Sequence, residues 1–260
     1  MKSFLKIFLV FVFSAVASVA VFAGDTKKNA PHYTYVFVHG SSGGAWDWKG
    51  MGNLLTADGH EVYRATLTGL GERIHLASPE INLTTHVNDV VNLILYEDLH
   101  DVVLVGHSYG GMVITGVADR IPERISHLIF LDAAAPEDGM TALDLWGPIK
   151  PENKIVNGFV YFSWLDLSKP IPRDEPQPLK TYTEPVSYKN PQAKKIPATF
   201  IAYVHPGQTY EERIADKSWR NATARGWKLR TIDSDHNAHR SHPQELKALL
   251  ELAPKDKNRT

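Results

Sequence analysis

The hydrophobic residues of this chain fall into short unbroken runs that alternate with stretches of helical spacing. Three of the runs, at residues 33–40, 101–107 and 125–134, are rich in β-branched and aromatic side chains, which is typical of buried strands. Residues 83–99 instead place apolar side chains three and four positions apart, which predicts an amphipathic helix. Apolar strands that alternate with helices indicate a parallel sheet with helices on both faces.

The same alternation continues on either side of these runs. It predicts a helix that ends at Gly59, strands at 60–67, 198–205 and 227–234, and helices at 109–120, 211–225 and 243–253. The predicted fold class is therefore α/β, with a mostly parallel sheet.

Residues 136–197 interrupt the alternation and hold ten of the sixteen prolines. The large aromatic residues of this segment are Trp146, Phe159, Tyr161, Phe162 and Trp164. One interpretation is an irregular surface excursion. We favour an inserted lid over an active site, because so much aromatic surface has to be buried and long segments of this kind commonly serve as lids. The chain then consists of a core, residues 24–135 and 198–260, and a lid in which Trp146 and Trp164 are candidates for substrate contact.

The first 23 residues have the pattern of a secretory signal peptide. Lys2 and Lys6 give a basic start, residues 7–22 form an apolar run, and small residues around Ala23 resemble a cleavage site. A membrane anchor is the alternative, but this run is shorter than the roughly 20 residues that a spanning helix needs. We therefore expect an exported bacterial protein, periplasmic or secreted, without membrane attachment once the signal is removed.

Composition narrows the classes of function. The formal net charge is −1, and removal of the two signal-peptide lysines makes it −3, so no basic excess is available for nucleic acid. The absence of cysteine excludes disulfides and thiolate metal sites. We expect no nucleic-acid partner, no metal and no cofactor.

Residues 106–110, which read GHSYG, predict a nucleophile elbow. In a G-x-S-x-G motif the serine occupies a strained strand-to-helix turn, because glycines two positions away let the backbone approach closely. The helix that follows also points backbone N–H groups toward the serine. A chance match to this motif is common, but one between an apolar strand and a helical pattern indicates that Ser108 is a nucleophile.

A serine nucleophile needs a histidine base, and residues 231–243 (TIDSDHNAHRSHP) hold three histidines. We favour His236 because it closely follows the last predicted strand, where a loop can reach back over the sheet. His239 and His242 are expected to be solvated surface residues. The competing interpretation is a metal site, for which the available ligands are Asp233, Asp235, His236, His239 and His242.

The acid that orients the histidine is harder to assign. Its usual place lies just after the strand 198–205, but the chain holds no acid there before Glu211. Asp132 follows an apolar run in which an unpaired carboxylate would be costly, so we predict that it is the acid. Glu211, Glu137 and Asp138 are the alternatives, and a turn cap is the non-catalytic alternative for Asp132.

Two backbone N–H groups should stabilise the oxyanion that forms when a serine attacks a carbonyl. We predict the N–H of Tyr109, which follows the nucleophile, and that of Ser41 in the glycine-rich loop after the first strand. His39 in the same loop either lines the pocket or packs in the core, and the sequence favours neither.

Together these residues resemble the α/β-hydrolase superfamily. More narrowly, they resemble small bacterial esterases akin to plant methylesterases and hydroxynitrile lyases, including pyrethroid hydrolases and macrolide esterases. The resemblance spans roughly residues 33–253 and rests on the segments VHGSSGGAWDW, TLTGLGER, VGHSYGGMVITGVADRIPERI, LDAAAPEDG and DHNAHRSHP. It implies an α/β-hydrolase fold with a cofactor-free Ser-Asp-His triad and a lid over an apolar pocket.

Two departures from this family narrow the expected reaction. The lyase branch carries a lysine after the catalytic histidine and a threonine after the histidine of the first loop. This chain has Asn237 and Gly40 at those positions, which argues against cyanohydrin cleavage. The missing acid after the strand 198–205 departs from the methylesterase pattern. An acid at the end of the earlier strand, as Asp132 is here, resembles the macrolide esterases.

We therefore expect a serine carboxyl-ester hydrolase that acts through an acyl-enzyme on a hydrophobic ester or lactone. A macrolide macrolactone is one substrate hypothesis, and a pyrethroid-type or general carboxylesterase is another. The alternatives from other classes are a non-catalytic binding protein on the same scaffold and a metal-dependent hydrolase.

Overall fold

The structure, a computed structural model, describes residues 31–256. The predicted signal peptide lies outside the described residues. In the part of the chain that is described, no helix is both long enough and apolar enough to cross a membrane. From His32 onward the described chain belongs to one compact unit, which includes the inserted segment.

Six strands form the central sheet. They are β1 (Thr34–Val38), β2 (Glu61–Ala65), β3 (Val102–His107), β4 (Ile125–Leu131), β8 (Ala198–Val204) and β9 (Lys228–Asp233). Their order across the sheet is β2-β1-β3-β4-β8-β9, and every neighbouring pair is parallel. The predicted α/β fold with a parallel sheet is confirmed, and each strand lies within its predicted range.

The helices are α1 (Lys49–Ala57), α2 (Leu83–Tyr96), α3 (Gly110–Arg120), α4 (Ala142–Trp146), α5 (Lys180–Thr183), α6 (Tyr210–Ile214), α7 (Lys217–Ala224), α8 (Ala238–Ser241) and α9 (Pro243–Leu252). One prediction was wrong, because the single helix expected over 211–225 is two helices, α6 and α7. The break occurs at Asp216, whose side chain accepts hydrogen bonds from the backbone N–H groups of Ser218 and Trp219 and so begins a new helix.

The sheet has a buried apolar cluster on each face. Leu104 of β3 packs in the cluster that contains α2 and α3 side chains, such as Val90 and Val113. Its neighbours Val103 and Val105 point to the opposite face, where α1 and α9 pack. Because successive side chains of a strand alternate between faces, both faces require apolar residues, and this explains the unbroken hydrophobic runs.

The inserted segment, residues 136–197, contains α4, α5 and a small sheet. This antiparallel sheet consists of β5 (Lys154–Val156), β6 (Phe159–Tyr161) and β7 (Gln177–Pro178). Phe162 and Tyr182 of the segment are buried and belong to the main core cluster. Part of the aromatic surface that the sequence assigns to this segment is therefore covered by the core, and its role as a lid stays a prediction.

Candidate active site

The carboxyl ends of four neighbouring strands bring the reactive side chains to one edge of the sheet. Ser108 follows β3, Asp132 follows β4, His205 follows β8, and His236 lies in the loop after β9. In open parallel sheets, this edge is where ligands bind. Residues that are far apart in the sequence therefore meet because their strands are neighbours.

Ser108 occupies a left-handed turn between β3 and α3, with a φ of 52°. The glycines that follow let α3 approach the sheet. A Cβ on Gly110 would lie 2.6 Å from the carbonyl oxygen of Val38, and one on Gly111 would lie 2.0 Å from that of Ala134. No side chain fits at those distances. The turn leaves Ser108 partly exposed at the N-terminus of α3, as expected for a nucleophile elbow.

His236 contacts the predicted acid directly. Its Nδ1 lies 2.6 Å from Oδ2 of Asp132. Because an ionised carboxylate only accepts hydrogen bonds, Nδ1 carries the proton and Nε2 of the neutral ring keeps its lone pair, which is the tautomer that a general base needs. Within residues 31–256 the structure has no hydrogen bond between His236 and Ser108. In the absence of substrate such catalytic contacts are commonly long.

Several hydrogen bonds stabilise the buried carboxylate of Asp132. Its side chain is only 5% exposed. Oδ1 accepts hydrogen bonds from the guanidinium of Arg213 and, at 3.3 Å, from the backbone N–H of Tyr203. Burial by itself would raise the pKa of this carboxyl, but hydrogen bonds from His205 and His236 and the charge of Arg213 lower the pKa far below its usual range. Asp132 is therefore ionised at neutral pH.

His205 is a residue of this site that the sequence reasoning missed. It directly follows β8, the place where an acid was expected and not found. Its Nε2 donates a hydrogen bond of 2.9 Å to Oδ2 of Asp132, and this contact raises the pKa of His205. The sequence held one signal for this residue: a histidine follows the strand at the place where the expected acid is missing.

His107, the residue before Ser108, was also missed. Its buried Nε2 donates a hydrogen bond of 2.7 Å to the backbone carbonyl of His236. Burial lowers the pKa of His107, so the ring stays neutral and keeps its single donor directed at this carbonyl. The nucleophile elbow therefore also holds the loop that carries the predicted base.

The loop after β1 brings Ser41 close to the elbow. A Cβ on Gly40 would lie 3.0 Å from Cβ of Ser108, so this backbone passes close to the serine. Within residues 31–256, the backbone N–H groups of Ser41 and Tyr109 donate no hydrogen bonds to the protein. Both predicted donors are therefore available to a ligand.

The inserted segment contacts this loop and the elbow. The hydroxyl of Tyr182 forms a hydrogen bond with the hydroxyl of Ser41, and Oε1 of Gln177 accepts one of 2.8 Å from the N–H of Ser42. The ring of Tyr182 also stacks on that of Tyr109, with 5.6 Å between centroids. Tyr182, which the sequence did not single out, thus joins the insert to both predicted oxyanion positions.

Two residues named from the sequence have side chains with structural roles. His39 is fully buried, donates from Nδ1 to the carbonyl of Gly40 at 2.8 Å and accepts at Nε2 from the N–H of Leu67 at 3.1 Å. Burial lowers the pKa of His39. The structure thus favours packing over pocket lining for this ring. The buried hydroxyl of Tyr109 contacts His86 at 3.0 Å, so only the backbone of Tyr109 faces the site.

Trp146 and Trp164 are partly open to solvent, with 38% and 56% of their surfaces exposed. The ring of Trp164 stacks on Phe162 at 4.2 Å, and those of Trp146 and Phe162 lie 5.9 and 5.7 Å from Tyr182. These contacts connect the exposed aromatic surface of the insert to the elbow. Contact of either tryptophan with substrate stays a prediction.

The alternative acids do not reach the predicted base. Glu211 and Glu137 are exposed, and Asp138 accepts a hydrogen bond of 2.9 Å from the backbone N–H of Tyr188. Among the described residues, the carboxylate that contacts His236 is that of Asp132.

The prediction that His239 is a solvated surface residue is wrong, because His239 is buried. His242 is exposed, as predicted. The ring of His239 stacks on that of Trp48 with 4.3 Å between centroids, and Nε2 of His239 lies 2.9 Å from Oδ1 of Asp47. Burial would raise the pKa of Asp47, but His239 and Arg240 lower it to about 2. The ring of His239 therefore packs beside the ion pair that Asp47 forms with Arg240.

Potential metal ligands meet in a different place from the one considered in the sequence. Within the described part of the chain, the group whose ligand atoms all lie within 4.8 Å of one another consists of Asp132, His205 and His236. Of the residues in 233–242, only His236 belongs to it. The order of the strands, and not spacing along the chain, assembles this group.

Sequence comparison gives relatives that are esterases. A carbendazim-hydrolyzing esterase of Nocardioides sp. (strain SG-4G) is 43% identical over 147 residues, which cover 54% of this chain and 60% of that protein. The pFDCC methylesterase MES16 of Arabidopsis thaliana is 29% identical over 255 residues, covering 85% of this chain and 94% of the relative. The second match extends over nearly the whole relative.

Structural comparison gives the same fold. An extracellular alpha/beta-hydrolase from a Paenibacillus species superposes with a TM-score of 0.69 at 21% identity, over 86% of this chain and all of the other. The structure of Arabidopsis MES16 has a TM-score of 0.65 at 26% identity, over 84% of this chain and 97% of the other. Residues 35–249, which make up most of the chain, also match the sequence model of the alpha/beta hydrolase family. This chain therefore belongs to the alpha/beta hydrolase family.

Proposed function

We propose that this protein is a serine carboxyl-ester hydrolase that acts through an acyl-enzyme. The observation that carries the proposal is the contact of 2.6 Å between buried Asp132 and Nδ1 of His236, at the sheet edge where the Ser108 turn lies. Membership of the hydrolase family and the esterases among its relatives support hydrolysis of an ester.

In the first half of the reaction, Nε2 of His236 accepts the hydroxyl proton of Ser108 while Oγ attacks the ester carbonyl. The imidazolium that forms is stabilised by ionised Asp132, because Oδ2 already holds its Nδ1–H. His236 then gives the proton to the departing alkoxide. An ester of Ser108 is left behind, and the alcohol is released.

In the second half, water gives a proton to Nε2 of His236 and attacks the acyl group. Nε2 then returns that proton to Oγ of Ser108, which leaves as the alcohol while the carboxylic acid is released. Both tetrahedral intermediates place a negative charge on the former carbonyl oxygen. The N–H groups of Ser41 and Tyr109 would stabilise this charge, each by a hydrogen bond that forms only as the charge develops. Their lack of a partner among the described residues supports this role.

A hydrophobic ester or lactone is the substrate class that the surroundings favour. Aromatic side chains of the insert lead from the exposed Trp164 through Phe162 and Tyr182 to the elbow, and such surfaces bind apolar groups. Macrolide macrolactones are included as one hypothesis, because the acid follows β4. A pyrethroid-type or general carboxylesterase is the other, and export of the enzyme would place either reaction outside the cytoplasm.

The test is covalent labelling with a fluorophosphonate probe. Wild type and Ser163→Ala, which removes an exposed serine of the insert, should both be labelled, whereas Ser108→Ala should not. Hydrolysis of short and long p-nitrophenyl esters, a pyrethroid and 16-membered macrolides would then rank the substrates. Labelling that survives in Ser108→Ala would contradict the proposal. A folded wild type that is neither labelled nor active would indicate a binding protein, and activity lost to a chelator would indicate a metal-dependent hydrolase.

A further inference from the structure

One carboxylate oxygen of the candidate site is shared by two histidines. Oδ2 of Asp132 lies 2.6 Å from Nδ1 of His236 and 2.9 Å from Nε2 of His205. The two imidazoles are 43% and 40% exposed, so an ion from solvent can reach them. A serine triad requires one histidine on its acid, and the second histidine has no part in the reaction proposed above.

We infer that Asp132, His205 and His236 form an inhibitory binding site for Zn²⁺ or a similar divalent transition metal. Two imidazoles and one carboxylate suit zinc, copper and nickel, whereas magnesium and calcium prefer sites made of oxygen ligands only. The inhibitory part of this inference rests on the proposed function. The metal-binding part does not.

The geometry is close to that of a zinc site with an open position. The three ligand atoms lie within 4.8 Å of one another, and tetrahedral zinc with bonds of about 2.1 Å needs separations of roughly 3.4 Å. Small rotations of the two exposed imidazoles would provide this. Arg213 and the N–H of Tyr203 hold Oδ1, so the carboxylate would bind through Oδ2 alone. Three protein ligands leave a fourth position for water or an anion.

The charges around the site limit its affinity for a metal ion. The guanidinium of Arg213 contacts the same carboxylate and opposes a cation, whereas Asp235 lies near enough to attract one. We therefore expect reversible binding that a chelator removes, not a permanently held structural ion.

Metal binding would inhibit through the tautomer of His236. The ion takes the lone pair of Nδ1, and the proton shared with Asp132 is displaced. The proton that leaves Nδ1 moves through solvent to Nε2, so in the neutral metal-bound ring this nitrogen can no longer accept the hydroxyl proton of Ser108. The same ion removes the negative charge of Asp132 that stabilises the imidazolium. Both effects stop the reaction without blocking the pocket.

The first experiment measures zinc binding by calorimetry in the full chain carrying Ser108→Ala, so that catalysis has no influence. One ion should bind per chain. Adding His205→Gln should weaken binding about tenfold or more, because glutamine keeps a hydrogen-bond donor near Asp132 but removes the imidazole ligand. His242→Gln, which changes an exposed histidine of the neighbouring loop, should leave binding unchanged. Absence of binding, or binding that His205→Gln does not weaken, would overturn the site.

The second experiment measures inhibition of ester hydrolysis by zinc, with each variant compared with its own zinc-free rate. Wild type should lose activity at the zinc concentration that half-saturates the site and recover it with EDTA. The His205→Gln variant should need at least about tenfold more zinc for the same inhibition, in line with its weaker binding. Zinc that binds at the site without slowing an active wild type would overturn the inhibitory part. An inactive wild type that still binds zinc would contradict the proposed function and leave the metal site established.

Discussion

The sheet edge and the inserted segment hold the candidate site in different ways. At the sheet edge, Ser108 and Asp132 both have left-handed backbones fixed between a strand and its neighbours, and the contacts around them are buried. The insert, residues 136–197, reaches the site through single hydrogen bonds and ring contacts, of which Tyr182 makes several. The backbone of the first region has almost no freedom at the site, whereas the second touches the site through a small number of side chains.

This difference separates chemistry from selectivity. Backbone geometry at the sheet edge sets where the proposed nucleophile, base and acid lie, so substitutions there should destroy folding or activity. Side chains of the insert influence which substrates reach the sheet-edge residues. Substitutions in the insert should therefore alter rates and substrate preference by modest factors. If the comparison is sound, the size of an effect should follow the region in which the substitution is made.

The largest effect on stability is expected for Gly111→Ala at the sheet edge. Its Cβ would lie 2.0 Å from the carbonyl oxygen of Ala134, so α3 has to move away from the sheet. We expect a loss of more than about 3 kcal/mol in the free energy of unfolding, measured by urea denaturation. The control is Gly50→Ala in α1, where no atom lies within 4 Å of the added Cβ and no loss is expected. Equal effects of the two substitutions would contradict the close packing described for α3.

A smaller effect is expected for Asp47→Asn, which removes the buried acid beside His239 and Arg240. The folded-state pKa of Asp47 is lowered from 3.8 to about 2, so its ionised form contributes stability above about pH 4. That contribution amounts to about 2 kcal/mol and is lost as the pH falls from about 4 to 2. The stability gap between wild type and variant, measured in urea at pH 7, 4 and 3, should therefore narrow toward low pH.

The control for this pH dependence is Asp98→Asn, which removes an acid from an exposed ion pair with Arg124. Solvent screens such pairs, so this variant should match wild type in stability at every pH. A gap for Asp47→Asn that stays constant down to pH 3 would show that its ion pairs do not stabilise the fold.

The smallest effect is expected in the insert, for Tyr182→Phe. The substitution keeps the ring that stacks on Tyr109 and removes the hydroxyl that bonds to Ser41. One hydrogen bond of this kind contributes about 1 kcal/mol, so kcat/KM for a p-nitrophenyl ester should fall by about fivefold. Tyr161→Phe, elsewhere in the insert, should not change it. A loss above a hundredfold in Tyr182→Phe would place the insert in the catalytic machinery and break the comparison.

Much of the sheet edge could be predicted from the sequence, because local pattern and backbone geometry are closely linked there. The apolar runs correspond to β1, β3, β4 and β8, since a strand buried on both faces has to be apolar throughout. The elbow at residues 106–110 could be predicted for a similar reason, because glycines are required wherever backbones approach this closely.

The contacts of the site with other parts of the chain could not be predicted. His205 and Tyr182 lie far from the other site residues along the chain, and only the order of the strands and the path of the insert bring them in. The burial of His239 had the same cause, because its partners Trp48 and Asp47 are nearly 200 residues away. A polar residue in a loop carries no local signal of the partner that it finds in the fold.

The proposed reaction depends most on the orientation of His236 by Asp132 as the base for Ser108. The most direct test compares kcat/KM for p-nitrophenyl butyrate in wild type, Asp132→Asn and Glu211→Gln, with circular dichroism to show that all three fold. We expect a loss of about a thousandfold to ten-thousandfold in Asp132→Asn, because asparagine would hold the wrong tautomer of His236, and almost none in Glu211→Gln. An Asp132→Asn enzyme of nearly normal activity, or a collapse in Glu211→Gln, would contradict this role of Asp132.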